Sequence, residues 1–478
     1  VRLVHRLCNS MREHVALMKR GIHLPGLLPN GAANRLAPED ALAHDWYRFV
    51  LSFPPHLVRD YLRRFGIVAD QTVLDPFCGT GTTIVECKKL GIPSVGVEAV
   101  PWSHFVTTVK IDWTPDPDGL VRHAREVAAL AREQLQSQGI DDAPPLPLFG
   151  RNTVVSSGHP PVLRQLPPEK QKLLLTDSIS SLPLHKTLVL LDCLDKCRDD
   201  RFRNHELVAL GKALVFSVSN LKFGPEVGVG PAKPDSPVVA PWLALVESMA
   251  ADLRSLRKID GAPAAVHHAD ARRVSEILTG RLIDAVFTSP PYPNEKDYTR
   301  TTRLESVLLG FIKDKADLRA LKRGLIRSNT RGVYQGDDDD RWVSDHAEIQ
   351  RIAEAIETRR VRLGKTSGFE RQYHRVTKLY FGGMARHLAD LRAILRPGAQ
   401  LAYVVGDQAS YLQVMIRTGQ LLADIAESLG YDVVNIDLFR TRLATATKEQ
   451  LREEVVILRW PGRTQRGLAN VGRAEAAR

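Results

Sequence analysis

Residues 71–91 read QTVLDPFCGTGTTIVECKKLG. Thr72–Leu74 predicts a short strand, and Asp75 ends it. Gly79 and Gly81 predict a tight turn, and Thr82–Leu90 reads as a helix closed by Gly91. The following IPSVGVEAV, residues 92–100, predicts a second strand ending in Glu98. Strand, glycine turn, helix and strand in this order form one half of a doubly wound α/β sheet.

The turn has the chemistry of a nucleoside site. Glycines let a ligand approach the backbone and leave amides pointing at it. An acid at the end of the second strand can accept hydrogen bonds from ribose hydroxyls. A nicotinamide site prefers G-x-G-x-x-G, but Ile84 occupies the third glycine's place, and a phosphate-loop GK[ST] is missing. Asp75, ahead of the glycines, disfavours a pyrophosphate and suits a cationic centre or an amine.

Bulk properties narrow the partner class. The chain has 478 residues, 44% hydrophobic and 25% charged, an ordinary globular mixture able to bury a substantial core. Lys and Arg number 66 against 55 Asp and Glu, a net charge of +11, which favours a polyanionic partner. No stretch approaches the apolar length of a membrane helix, and VRLVHRLCNSMREHV shows no secretion signal. The five cysteines, Cys8, Cys78, Cys87, Cys193 and Cys197, read as reduced thiols of a cytoplasmic protein. Cys193 and Cys197 lack a second pair at zinc spacing, so no metal is expected.

Outward from the glycine turn, residues 39–50 read EDALAHDWYRFV, and LVRDYLRRF after Pro54 and Pro55 predicts a helix. Residues 115–262 depart from the α/β pattern. VRHAREVAALAREQL and ALVESMAADLRSL are helical, with a glycine- and proline-bearing stretch around Lys222 between them. This insertion reads either as a helical cover over the sheet or as a subdomain that grips substrate. The sheet resumes with AAVHHADARRVSEI at 264–277 and LIDAVFTSPPY at 282–292. Asp270 ends a strand, where it can accept from an adenine amino group or cap a helix. His267 and His268 fall on opposite strand faces and read as packing or surface residues.

Two adjacent prolines, Pro290 and Pro291, can neither continue a ladder nor enter a helix interior. They predict a stiff turn with free carbonyls. Beyond it, Asp337–Asp340 read as a solvated acidic loop. The stretch at 357–380, ETRRVRLGKTSGFERQYHRVTKLY, is basic, with Phe369, Tyr373 and Tyr380 interspersed. It suits phosphate contacts with stacking side chains, or else a solvated helix face. MARHLADLRAIL and LLADIAESLG predict helices, QLAYVVGD a strand, and EEVVILRW an edge or hairpin strand. The tail after 462 reads as frayed.

DPFCGTGTT at 75–83, GVEAV at 96–100, HADAR at 268–272 and TSPPY at 288–292 together resemble the S-adenosylmethionine-dependent DNA methyltransferases that act on exocyclic amino groups. The SPPY form looks most like the N4-cytosine members. LRPGAQLAYVVGDQ at 395–408 is similar to a later strand of that catalytic domain, and HDWYRFVLSFPPHLV at 44–58 resembles the segment placed against the methionine part of the cofactor. The likeness covers roughly residues 40–110 and 264–460.

The resemblance implies a Rossmann-like class I methyltransferase sheet flanked by helices, with large helical and loop insertions. Its core would comprise 39–114, 264–311 and 379–462. Residues 1–38 would be an N-terminal extension, 115–263 a helical insertion and candidate target-recognition region, 312–378 a polar basic insertion and candidate DNA-binding region, and 463–478 a flexible tail. The implied cofactor is S-adenosyl-L-methionine, held by Phe53, Asp75, Pro76, Phe77, Cys78, Gly79, Gly81, Thr82, Glu98, Asp270 and Ala271. Glu98 would take the ribose hydroxyls and Asp270 the adenine amino group. Ser289, Pro290, Pro291 and Tyr292 would receive the target base. Double-stranded DNA is the implied partner, contacted by Lys222, Lys296, Arg359, Arg360, Arg362, Lys365, Arg371, Arg375 and Lys378. A prokaryotic cytoplasmic, nucleoid-associated location is expected, with a monomer favoured and a dimer left open, and with room for a cognate restriction endonuclease.

The chemistry of cytosine N4 fits these residues. Its amino lone pair is drawn into the ring, so the nitrogen needs orientation and hydrogen-bond acceptors. The Ser289 hydroxyl and the Pro290 carbonyl can accept its protons. Tyr292 can stack on a base flipped from the duplex. Ring-carbon methylation would need a Pro-Cys loop, and none occurs. N6-adenine methylation and a non-enzymatic DNA-binding module remain the alternatives.

Overall fold

The computed structural model describes residues 36–48, 52–142, 161–223, 227–443 and 450–462. Cys8, most of the N-terminal extension and the tail lie outside them. The central sheet contains β1 (Val73–Asp75), β2 (Ser94–Glu98), β5 (Ala264–His268), β6 (Ile283–Thr288), β7 (Leu395–Gly406), β8 (Asp432–Leu443) and β9 (Gln450–Arg459). Strands β3 (Leu221–Phe223) and β4 (Val227–Val229) form a separate hairpin in the insertion.

The sheet order is β5-β2-β1-β6-β7-β9-β8. Neighbours are parallel except that β9 runs antiparallel to both β7 and β8. This is the Rossmann-like class I methyltransferase arrangement. EEVVILRW therefore forms the second arm of a hairpin with β8, as one of its two readings has it, and lies inside the sheet rather than at the edge. The reason is visible in its burial: Glu453–Leu458 are buried without alternation, as a strand covered on both faces requires. The edge is β8, whose DVVNIDLFRTRL pattern is half polar.

The helices of the described residues include α1 (Pro55–Phe65), α2 (Thr82–Lys89), α3 (Pro101–Lys110), α4 (Pro117–Ser137), α5 (Ser181–Lys196), α6 (Arg203–Ala213), α7 (Val239–Leu256), α8 (Ala347–Arg362), α9 (Tyr373–Leu391) and α10 (Thr418–Ser428). Pro55 presets the first turn of α1, and Gly66 ends the helix at φ +66°. Its apolar stripe, Leu57, Val58, Tyr61, Leu62 and Phe65, packs with Phe287, Ala402, Val404 and Val455 from one face of the sheet. Helices α8, α9 and α10 bury the opposite face through Ile356, Phe381, Leu388 and Leu422 against Leu74, Val286 and Leu401.

The insertion is helical, and its core is continuous with the cofactor half. Val127, Leu190, Leu210 and Trp242 share one apolar cluster with Ile84, Trp102 and Val106. Gly211 of α6 lies so close to the Trp102 ring that a Cβ there would stand 2.3 Å from it. Among the described residues, no helix is long and apolar enough to cross a membrane, and no group of three His, Cys, Asp or Glu could hold a metal.

The acidic run is not the solvated loop its sequence predicts. Asp337 receives a two-pronged contact from Arg327, at 2.8 and 2.7 Å. Asp339 is 4% exposed and bridges Arg272 and Arg386. Its carbonyl lies against Gly382, where any Cβ would be 1.9 Å away. Arginines from distant segments cancel the repulsion that adjacent carboxylates would feel in water. Their approach is invisible to a local reading. Asp339→Ala leaves the largely buried Arg272 with one partner fewer, and it is expected to lower unfolding free energy by about 3–5 kcal/mol in denaturant titration. A loss under about 1 kcal/mol would mark the run as peripheral.

Candidate active site

A cavity of about 440 Å³ opens at the C-terminal ends of β1, β2, β5 and β6. Open α/β sheets bind ligands at this end, where the chain reverses its winding direction. Pro76–Thr80, Glu98, Ala269–Ala271 and Ser289–Tyr292 all line it, joined by Phe53 from the segment before α1. Motifs far apart in sequence thus share one wall.

The glycine loop is held from below. Gly79 and Gly81 adopt φ +52° and +84°. A Cβ on Gly81 would stand 2.5 Å from the Thr107 methyl, so only glycine fits both the backbone and the space. Thr107 Oγ1 donates to the Gly79 carbonyl at 2.9 Å, and Lys110 Nζ donates to the Thr80 carbonyl at 3.0 Å. Cys78 is buried against Gly96, and burial raises its thiol pKa well above the ordinary value.

Glu98 accepts from the Gly79 amide at 2.8 Å and the Val100 amide at 2.7 Å. Burial pushes its carboxyl up to about 7. Each oxygen keeps a second lone pair for a ligand. Asp75 and Gly81, both expected at the cofactor, are not among the residues lining the cavity. Asp75 is fully buried. Its Oδ1 accepts from Thr288 Oγ1 at 2.6 Å and the Phe77 amide at 3.2 Å, and burial raises it to about 6. Its Oδ2 has no partner.

Asp270 lines the cavity but is already engaged. Its Oδ1 caps the short turn after β5 by accepting from the Arg272 amide at 2.9 Å. The Arg272 guanidinium contacts both of its oxygens, between 2.6 and 3.1 Å. Beside it, the Ala271 carbonyl accepts from His387 Nδ1 at 2.7 Å. A carbonyl only accepts, so Nδ1 carries the proton and Nε2 accepts from the Tyr403 hydroxyl, also at 2.7 Å. Burial holds His387 down to about 4, hence neutral, and its ring meets Phe77 edge to face at 4.9 Å.

At the proline turn, the Ser289 hydroxyl donates to the Val404 carbonyl at 3.0 Å. The same side chain also hydrogen-bonds with that of Tyr292, so the two base-facing residues of the turn are tied to each other. The Tyr292 amide donates to the Tyr298 hydroxyl at 3.1 Å. The Tyr292 ring lies over Gly406, 3.1 Å from where a Cβ would be.

The residues expected at DNA scatter. Lys296 lines the cavity instead of an outer face, and its carbonyl accepts from Asn329. Lys222 is exposed on β3. In the basic run, Arg360 pairs with Glu357 and Lys365 with Glu370. Arg359 donates to Gln413, and Arg375 to backbone carbonyls of Tyr334, Gln335 and Asp337. Arg362 and Arg371 are exposed on this stretch, with Lys378 half-buried after them. Tyr380, read as a stacking side chain, is 1% exposed in the core, because it lies on the buried stripe of α9. Phe369 is 51% exposed.

Sequence reading missed Lys110, Arg272, His387, Lys322, Ile326–Asn329, Phe439, Arg440, Arg442 and Glu453. The last six positions or segments named, from Lys322 on, line the cavity. Only the acid–base spacing of Arg440 and Glu453 across a predicted hairpin could have signalled any of them.

Comparison with known proteins agrees with this geometry. Residues 35–101 match the N6_N4_Mtase family, described as DNA methylase. The Type II methyltransferase M.BsoBI of Geobacillus stearothermophilus is 24% identical over 449 residues, spanning 87% of this chain and 84% of that protein. The Type II methyltransferase M.AvaI of a Nostoc species is 21% identical over 482 residues, spanning 96% and 92%. Fold, site and matches together support an S-adenosylmethionine-dependent methyltransferase of the N6/N4 amino-directed DNA type. The residues present fit S-adenosylmethionine: the glycine loop admits close approach, and Glu98, which lines the cavity, can accept from ribose hydroxyls.

Lys110 supplies a test of the loop's support. It is 1% exposed, and burial, aided by Arg48 and Lys212, lowers its amine from 10.5 to about 7. Below pH 7 the amine is charged in both folded and unfolded chains, and the burial penalty is full. Between pH 7 and 10.5 the unfolded chain binds more protons, so stability attributable to this group rises with pH. Lys110→Met should outstrip the wild type near neutrality by a margin that shrinks on raising the pH, by up to ~1.4 kcal/mol per unit. Paired denaturant titrations at several pH values measure that margin, and a constant margin would refute the assignment.

Proposed function

We propose that this chain transfers a methyl group from S-adenosylmethionine to the N4 amino group of cytosine in duplex DNA. The observation that carries the reading is the Ser289–Tyr292 turn opening on the same cavity as the glycine loop and Glu98. S-adenosylmethionine supplies the electrophilic methyl. Glu98 would accept from its ribose hydroxyls, Asp270 would face its adenine, and Pro76–Gly79 and Phe53 would enclose it. Ser289 and the Pro290 carbonyl would accept the amino protons and aim the nitrogen, and the Tyr292 ring would give a flipped base a flat wall. Serine is a weaker, neutral acceptor than the carboxylate or amide more usual for adenine, and this favours cytosine. Exposed Arg362, Arg371 and Phe369 are the proposed contacts to DNA, with Lys378 beside them.

The decisive experiment is single-turnover methylation of unmodified DNA at saturating cofactor, followed by chromatographic separation of N4-methylcytosine, C5-methylcytosine and N6-methyladenine. N4-methylcytosine is expected, and product confined to N6-methyladenine overturns the choice of base. Tyr292→Ala should lose stacking worth about 1–3 kcal/mol and most turnover, while Ser289→Ala should slow transfer with the fold intact. Full activity of Tyr292→Ala would remove it from the base pocket.

Glu98→Ala should weaken cofactor binding in calorimetry by roughly 1.5–3 kcal/mol, the range for a charged hydrogen bond, with DNA affinity little changed. Equal dissociation constants for mutant and wild type would sink the ribose assignment.

A further inference from the structure

The base-facing part of the cavity has a second wall that the motifs do not supply. Phe439, Arg440 and Arg442 of β8 and Glu453 of β9 line it together with Ser289–Tyr292. Glu453 and Tyr292 are neighbours, since a Cβ on Gly406 would stand 3.3 Å from Glu453 Cγ and 3.1 Å from the Tyr292 ring.

The position of these side chains is built by the hairpin. Strand alternation should send Phe439 and Arg440 to opposite faces. The β8–β9 register shifts between Leu438 and Arg440, and both residues line the cavity. Such shifts re-aim side chains beside active sites. Arg440 pairs with Glu453 across the ladder, and its Nε donates to Glu453 Oε2 at 2.5 Å. Arg442 Nε lies 3.6 Å from the other Glu453 oxygen. The carboxylate, with its side chain 10% exposed, therefore grips Arg440 by one edge. Among the described residues, the two terminal nitrogens of that guanidinium have no hydrogen-bond partner.

The two walls are complementary in hydrogen-bonding sense. The proline turn offers acceptors, because its two prolines carry carbonyls and no amide proton. A base held there by its amino group needs donors for its ring acceptors. Cytosine presents N3 and then O2 beside its amino group, and adenine presents N1 with no carbonyl beyond it. A guanidinium fork held by one edge matches two adjacent acceptors.

We propose that Arg440, oriented by Glu453, is the specificity-determining donor that reads N3 and O2 of the flipped cytosine. This rests on the cytosine reading above. The test first locates the methylated site by sequencing DNA modified by the wild-type protein. It then measures single-turnover transfer to short duplexes bearing cytosine or adenine at that site, alongside the dissociation constant for S-adenosylhomocysteine. Arg440→Met should slow transfer to cytosine about tenfold or more, the usual worth of a paired arginine contact to a base, with cofactor affinity within about twofold. The cytosine-to-adenine rate ratio should narrow with it, which a purely structural loss would not cause. Glu453→Gln keeps an acceptor for Arg440 and should fall between the two. If Arg440→Met does not fold, Arg440→Lys keeps the charge without the fork and should still narrow the ratio. Wild-type rate in the arginine variants, or an unchanged ratio at lower rate, overturns the proposal. Exclusive adenine methylation by the wild type would instead overturn the cytosine reading, before any variant is made.

Discussion

The shortest side-chain hydrogen bond between the two halves of the site joins Thr288 to Asp75, and Thr83 Oγ1 adds a second tie to the Phe287 carbonyl at 3.2 Å. Thr288 closes β6 and Asp75 closes β1, and the threonine hydroxyl donates to the aspartate at 2.6 Å with both residues fully buried. The strands are paired one step earlier, Leu74 opposite Val286. Beyond this tie the chains part, one into the glycine loop and the other into the proline turn. The order β2-β1-β6-β7 makes this the line where the sheet's winding reverses. A crevice is unavoidable there. The hydrogen bond decides that its two lips carry the cofactor loop and the serine turn at the same height.

The local motifs were legible because their chemistry is local. A pair of glycines in a tight turn, an acid at a strand end and two prolines after a strand each follow from neighbours in sequence. The same logic fails where a side chain's partner lies far along the chain. Asp339 reads as solvent-facing until Arg272 and Arg386 are brought to it. The Lys296 carbonyl finds its partner in Asn329, 33 residues on, which no local reading supplies. Tyr380 reads as a surface stacker because its basic neighbours mask the buried stripe of α9. The placement of β9 inside the sheet also escapes a local reading, since continuous burial becomes meaningful only once β8 is recognised beyond it.

Support for the site comes from outside the motifs. His387 fixes the Ala271 carbonyl and abuts the Phe77 ring, so one neutral imidazole braces both sides of the corner near Asp270. Asp339 holds Arg272, which holds Asp270. Lys110 and Thr107 hold the two carbonyls of the glycine loop. Each brace is buried, and each acts on the backbone or on a charged group whose position matters. Asp339, from the segment between β6 and β7, thus contributes to the cofactor half, and the helices between β2 and β5 contribute through the core they share with α3.

The electrostatics favour a cationic guest. Asp75 and Glu98 are both driven toward neutrality by burial, to about 6 and about 7, and the like charge of Asp75 adds to the shift of Glu98. Two carboxyls so placed destabilise the empty site in their ionised forms. A ligand with a sulfonium and an ammonium offsets that cost, and one with phosphates increases it. The pair of acids that argues against a dinucleotide in the sequence keeps that sense in the folded chain, with Glu98 on the cavity wall and Asp75 buried close enough to raise it.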